Sequence, residues 1–230
     1  MKELNIEGAK MNASNNQNKR LDYFDIAKGI GILLVIAGHF GIEKIDKFVF
    51  IFHMPLFFII SGYFINPNKN TKEFIKKRAK SLLIPYIITS LLIILGVMFK
   101  DILKGNFDLA FMEGLQTFVK ALYGSGSNSN HTLFNIEQIG AIWFLEALFI
   151  SSVICKLICE NKYRWIIVIV LFGLSYISSL YIWLPFNIQS GLCSLLFVMV
   201  GYEIKKIKLM DRIGKPGGIV TYNFYHDYYY

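Results

Sequence analysis

Asp25, Lys28 and His39 stand in one apolar stretch, DYFDIAKGIGILLVIAGHF, and a second histidine, His53, follows in FIFHMPLFFIISGYF. Lys28 and His39 are eleven positions apart, which at about 100° per residue is three turns plus roughly 20°, so a helix puts them on one face about 16 Å apart along its axis. Asp25, three positions before Lys28, is placed to pair with it and to offset the cost of a charge at membrane depth. His39 near the end of one helix and His53 near the start of the next fall at similar depth on an antiparallel hairpin. Two imidazoles at one level form a candidate acid–base centre, because histidine titrates near neutral pH and can take a proton from a hydroxyl. The plainer alternative is that Lys28 snorkels from a helix end, His39 sits at the opposite interface and His53 is a packing residue.

The elements that must hold these groups read as membrane helices. Of the 230 residues 54% are hydrophobic, 16% aromatic and only 17% charged, and the mean hydropathy is +0.46, too apolar for an ordinary soluble domain. Six stretches approach the roughly 20 apolar residues a span needs: Ile26 to Ile42, Phe48 to Ile65, Ser81 to Phe99, Ala141 to Cys159, Trp165 to Trp183 and Phe186 to Ile204. The expected fold is all-α, a polytopic transmembrane bundle of about six spans, with a polar tail over 1–19, a membrane domain over 20–206 and an atypical tail over 207–230. Nothing in the polar, Asn-rich Met1 to Lys19 stretch has the apolar core of a signal peptide.

The net charge is +8, but where the charges fall argues against nucleic acid as the partner. With the N-terminus inside and loops alternating, nineteen of the twenty-four Lys and Arg residues are inside and five (Lys44, Lys47, Lys100, Lys104, Lys120) outside. That asymmetry predicts cytoplasmic N- and C-termini and a lipid bilayer as the partner. Cys155, Cys159 and Cys193 lie inside apolar segments, and an odd number there points to packing rather than a disulfide framework.

Two loops are informative. Lys100 to Gly140 is the only long one, and its GSGSNSN stretch at Gly124 to Asn130 is flexible by composition. The inner loop opens with the turn signal Asn66-Pro67-Asn68 and continues TKEFIKKRAK, where Thr71 is the expected cap of a short amphipathic helix with Phe74 and Ile75 toward the membrane.

Five blocks, RLDYFDIAKGIGILLVIAGH, FIFHMPLFFIISGYF, FIKKRAKSLLIPY, AIWFLEALF and LCSLLFVMVGYEIKK, in this order and spacing resemble the acyltransferase 3 family, nearest to its bacterial sugar and polysaccharide O-acetylases. The resemblance runs from Arg20 to Lys206 and implies transfer of an acyl group, usually acetyl from acetyl-CoA, onto a carbohydrate hydroxyl at the cell envelope, in the plasma membrane and without a metal. The family's basic-x10-histidine motif falls on Lys28 and His39, and its histidine acts in acyl transfer. Its R-x-x-R element before a proline falls on Arg78 and Ser81, with Pro85 as the proline, so the second arginine is absent while Lys77 and Lys80 stand close by.

With that match, His39 is the expected general base, Lys28 and Asp25 organise its face, and His53 orients it or carries a second proton. Lys77, Arg78 and Lys80 are the expected holders of the donor's phosphates; the competing role for these cations is topology and headgroup binding. Glu146 is an intramembrane acid that pairs with Lys28 or a histidine, or sits near enough to the surface to be solvated, and Trp143 belongs to an interfacial belt. Family members have about ten spans where six are visible here, so a partner chain supplying the rest, or a non-catalytic remnant, are open readings. A small transporter using Asp25, Lys28, His39, His53 and Glu146 as a polar path is the alternative from another class.

Overall fold

The computed structural model describes residues 24–36, 38, 43–126 and 137–208, with the backbone alone for 43–51. The described residues are mainly helical, with no strand among them: α1 over 24–36, α2 Glu43–Tyr63, α3 Thr71–Leu103, α4 Phe107–Tyr123, α5 Trp143–Ile158, α6 Arg164–Ser179 and α7 Ile188–Lys206, with a 3₁₀ turn Pro185–Asn187 ahead of α7. Two segments, Thr71–Leu103 and Pro185–Lys206, are long and apolar enough by themselves to cross a membrane.

Contacts at both ends fix the directions of the helices. Phe24 packs on Tyr63 and Phe64 while the Phe57 ring lies on Gly31, so α1 and α2 form an antiparallel hairpin as expected. Phe58 meets Phe144 and Ser61 meets Ser152, so α5 runs with α2. Arg78 reaches Ser61 and Tyr86 adjoins Glu146, so α3 runs against both. Arg164 binds Glu203 while Ser175 binds the Gln189 carbonyl, which sets α6 against α7. The helices α1, α2, α3, α5, α6 and α7 therefore alternate in direction. Lys69 to Lys80, Lys156, Lys162, Arg164 and Lys205 to Lys208 come together at one end of the bundle.

The outside of this bundle is apolar where that of a soluble protein is polar, and polar groups stand inside beside an apolar core. The interior holds Ser61, Ser151, Ser152, Asn187, Gln189, Glu146 and Lys156 beside Phe58, Val168, Leu195, Val198 and Met199. The exterior of α3, α4 and α6 is apolar, with Leu92, Leu95 and Phe99, Phe111 and Phe118, and Ile166, Ile169 and Leu174 all exposed. At about 25 cal/mol per Å², water is a poor solvent for such a surface and hydrocarbon a good one. Between helices in lipid, close packing of small residues takes over from the hydrophobic effect. Gly62 of α2 lies on the Val198 backbone and Gly201 of α7 on the Ile59 backbone, each so tightly that a Cβ would overlap a carbonyl.

Four local expectations are corrected. The amphipathic helix at 71–80 and the third apolar stretch are one continuous 33-residue helix, α3, because Pro85, fourteen positions after its start, loses one hydrogen bond of a ladder held at both ends. Its cap is Asn70, whose side chain accepts from the Lys72 amide at 2.9 Å, rather than Thr71. Phe74 packs against the core and under Arg78 instead of facing lipid. The long loop also contains α4, folded back on α3 through Ala110, Gly114, Thr117 and Ala121, a small-residue seam at helical spacing. Gly114 receives Met98, and the Tyr86 hydroxyl donates to the Ala121 carbonyl at 2.6 Å. The fourteen residues 209–222 and the rest of the C-terminal tail, like 1–23, lie outside the described residues.

The glycine contacts yield a test. Gly62→Ala and Gly201→Ala should each force α2 and α7 apart and destabilise by about 1–3 kcal/mol or more, read as a lower Tm in detergent. Gly96→Ala, with nothing within 4 Å of its added carbon, should leave Tm unchanged or raise it.

Candidate functional site

At the basic end, α1, the end of α2 and the start of α3 enclose a cleft of about 690 Å³. Its inner wall is Ser61, buried, with the half-buried Arg78 and Lys28; its rim carries the exposed Lys69, Glu73 and Lys77. Four cations against one carboxylate on the lining give the cleft a positive field.

Each cation is positioned by a separate device. Lys28 pairs with Asp25 at 3.0 Å and lies 5.4 Å over the Phe64 ring, as the three-residue spacing predicts. Arg78 donates to the Ser61 carbonyl at 3.3 Å and stacks 5.4 Å over Phe74. It sits one turn ahead of Leu82, where the apolar part of α3 begins. The Ser81 hydroxyl, at the place of the family's second arginine, turns back to the Arg78 carbonyl at 3.2 Å. Lys80 is exposed on α3 and does not line the cleft: it is two positions from Arg78, about 200° around the helix. Of the three expected phosphate holders the fold brings Lys77 and Arg78 together and leaves Lys80 out.

The rim is a built platform. Ile65, Asn66 and Pro67, in the turn just past the end of α2, offer backbone carbonyls to its neighbours. Lys205 of α7 donates to Ile65 at 3.0 Å, and Lys156 of α5, buried, donates to Asn66 at 2.9 Å and to Pro67. Lysine ammoniums suit this end of a helix dipole. Asn66 also accepts from the Asn68 amide at 3.0 Å. The turn that carries Lys69 is thereby tied to α5 and α7. Sequence reasoning placed Lys156 and Lys205 only as topological charges and did not single out Lys69; the Asn66-Pro67-Asn68 signal marked the turn but not what holds it.

His53 is fully buried in α2, while His39 lies outside the described residues, so the pairing of the two imidazoles is not part of the observed geometry. Glu146 is buried and makes no ion pair among the described residues. It pairs with neither Lys28 nor solvent: it sits beside Tyr86, against the left-handed Gly124 that ends α4, close to Asn187. Trp143 packs edge to face on Phe144, and its carbonyl accepts from Asn187 at 3.0 Å. At that end Lys120 binds the exposed Glu137 at 2.5 Å and holds its carboxyl below the usual range. Among the described residues no cluster of three metal-ligating side chains occurs, and the three cysteines are free.

Comparison with known proteins adds a family. An acyltransferase domain model matches residues 21–221. The nodulation protein NolL of Mesorhizobium japonicum is 30% identical over 158 residues, 61% of this chain and 36% of that protein. The nodulation protein NolL of Sinorhizobium fredii is 30% identical over 171 residues, 67% of this chain and 41% of that protein. The chain thus spans less than half the length of the curated relatives it matches. No solved structure matches it.

The cleft geometry separates neighbouring lysines. With the native cysteines replaced, single cysteines at Lys69, Lys77 and Lys80 should all react with maleimide. Adenosine 3′-phosphate 5′-diphosphate, which has no thiol, should slow the reaction at positions 69 and 77 and leave position 80 unaffected; equal protection at all three would mean a diffuse surface field instead of a cleft.

Proposed function

This chain belongs to the acyltransferase 3 family, and from that premise we propose that it carries an acyl group, acetyl in the simplest case, from acyl-CoA to a carbohydrate hydroxyl at the cell envelope. The observation that carries this reading is the cleft in which Lys28, Lys69, Lys77 and Arg78 converge beside the bundle interior. Phosphate oxygens bind a planar guanidinium and ammoniums through charge-assisted hydrogen bonds, about twice as strong as neutral ones. Coenzyme A offers such oxygens at one end and its thioester at the end of a long arm. With the phosphates at the basic end, the arm follows the helices inward. Lys28 then belongs to both halves of the site: Asp25 fixes it at the cleft, and eleven residues further along the chain is His39.

The chemistry needs a base. A carbohydrate hydroxyl is a weak nucleophile at neutral pH, so its proton passes to His39 as the oxygen attacks the thioester carbonyl carbon; the C–S bond then breaks and the CoA thiolate leaves, taking a proton. His53, buried in the neighbouring helix, orients His39 or carries the second proton. The partners are the bilayer and the carbohydrate acceptor. The alternating helices are six membrane spans with cytoplasmic termini, which puts the cleft where acyl-CoA is made.

Acetyl transfer from labelled acetyl-CoA to surface glycan tests the assignment. His39→Ala should lose about 10² to 10⁴ in kcat with donor binding retained, and His53→Ala should lose less. Near wild-type turnover in the His39 variant would move the base elsewhere. A cysteine at Ser127 should be labelled by an impermeant reagent in intact cells; labelling only after the cytoplasm is opened would overturn the topology.

A further inference from the structure

The cleft has two tiers, and they differ in what holds them. Lys28 and Arg78 are half-buried on the inner wall, each over an aromatic ring and each bonded to its own anchor, Asp25 and the Ser61 carbonyl. Lys69 stands on the rim, on the turn between α2 and α3, and no ion pair holds its ammonium among the described residues. The turn beneath it does not drift: Lys156 and Lys205 grip its carbonyls from α5 and α7, and Asn66 and Asn70 close its two ends through the Asn68 and Lys72 amides. A free, long cation on a fixed base loses less on binding than one on a mobile loop. Lys77 stands on the same rim, and Lys205 holds the Ile65 carbonyl at the foot of the turn, so Lys69 has cations for neighbours.

Resting on the reading of the cleft as an acyl-CoA site, we propose that Lys69 is a specificity-determining residue that binds the 3′-phosphate of coenzyme A, while Lys28 and Arg78 hold the pyrophosphate. The arm bearing the thioester leaves from the pyrophosphate and has to enter the bundle, so the pyrophosphate takes the inner tier. The 3′-phosphate is carried on the ribose at the far side of the pyrophosphate from that arm, and falls to the outer tier. Lys77 supports the rim by its field, and Glu73, the one carboxylate on the lining, repels an anion displaced toward its side. The turn thus gives the protein a means of telling coenzyme A from donors with a pyrophosphate alone.

The test is binding of CoA and of dephospho-CoA, which lacks only the 3′-phosphate, to the full chain in nanodiscs of neutral phosphatidylcholine. Wild type should prefer CoA by about tenfold, the size of one charge-assisted hydrogen bond to phosphate. Lys69→Gln should remove that preference and leave the affinity for dephospho-CoA as it was; Lys69→Arg should keep most of it. Equal loss for both ligands in Lys69→Gln, or equal affinity for both in wild type, overturns the role of Lys69 while leaving the donor cleft in place. No binding of either ligand removes the cleft reading itself, and the proposal with it. Repeating the titration with anionic phosphatidylglycerol in the disc separates the other source of phosphate: if the preference survives, the site reads the nucleotide, and if headgroups erase it, Lys69 is a lipid contact and the proposal fails.

Discussion

The approach of α2 to α7 is the constraint on which most else hangs. In lipid, two apolar helix faces gain little by meeting each other instead of acyl chains, so association depends on how closely backbones can come. Gly62 and Gly201 let each helix lie on the other's carbonyls, at Val198 and Ile59, close to where both helices end. Because the contact is at that end, it also fixes where α2 stops and where the turn beyond it starts. The carbonyls of that turn are what Lys205 and Lys156 grip, and the turn they fix forms one side of the cleft.

The charges at this end serve two physical purposes that do not compete. A lysine with its ammonium just past the carbonyl end of a helix ties down the turn that follows and complements the helix dipole. Lys156 and Lys205 are used in this way, and Arg164 is spent on Glu203, at 2.5 Å, to tie α6 to α7. Lys28, Lys69, Lys77 and Arg78 remain turned to one cleft. The same excess of positive charge that sets orientation in a membrane therefore divides into cations used inside the fold and cations left for a ligand.

The far end is organised around a buried acid instead. Glu146, Tyr86, Asn187 and the left-handed Gly124 bring the starts of α5 and α7 and the end of α4 to one point. Any side chain at position 124 would meet the carboxyl and would also have to adopt a positive φ of 60°, which is why glycine ends α4 there. Glu146 looks like a stranded charge in the sequence; in the fold it is a junction.

Sequence alone determined the properties that arise from local composition. Apolar runs of span length gave the helices, the one-sided lysines gave the basic end, and spacing gave the Asp25–Lys28 pair, because residues three apart on a helix must be neighbours whatever surrounds them. The five blocks gave the family. Tertiary structure decided which cations share a space: Lys80 is adjacent in sequence and on the wrong face, while Lys69 and Lys28, forty-one positions apart in the chain, line one cleft. It also decided that α4 folds back on α3, since a seam of Ala110, Gly114, Thr117 and Ala121 reads as unremarkable small residues until a partner backbone is there to use it. Local rules fix what a segment is, but what it meets depends on contacts between residues far apart in the chain, and no periodicity within one segment encodes them.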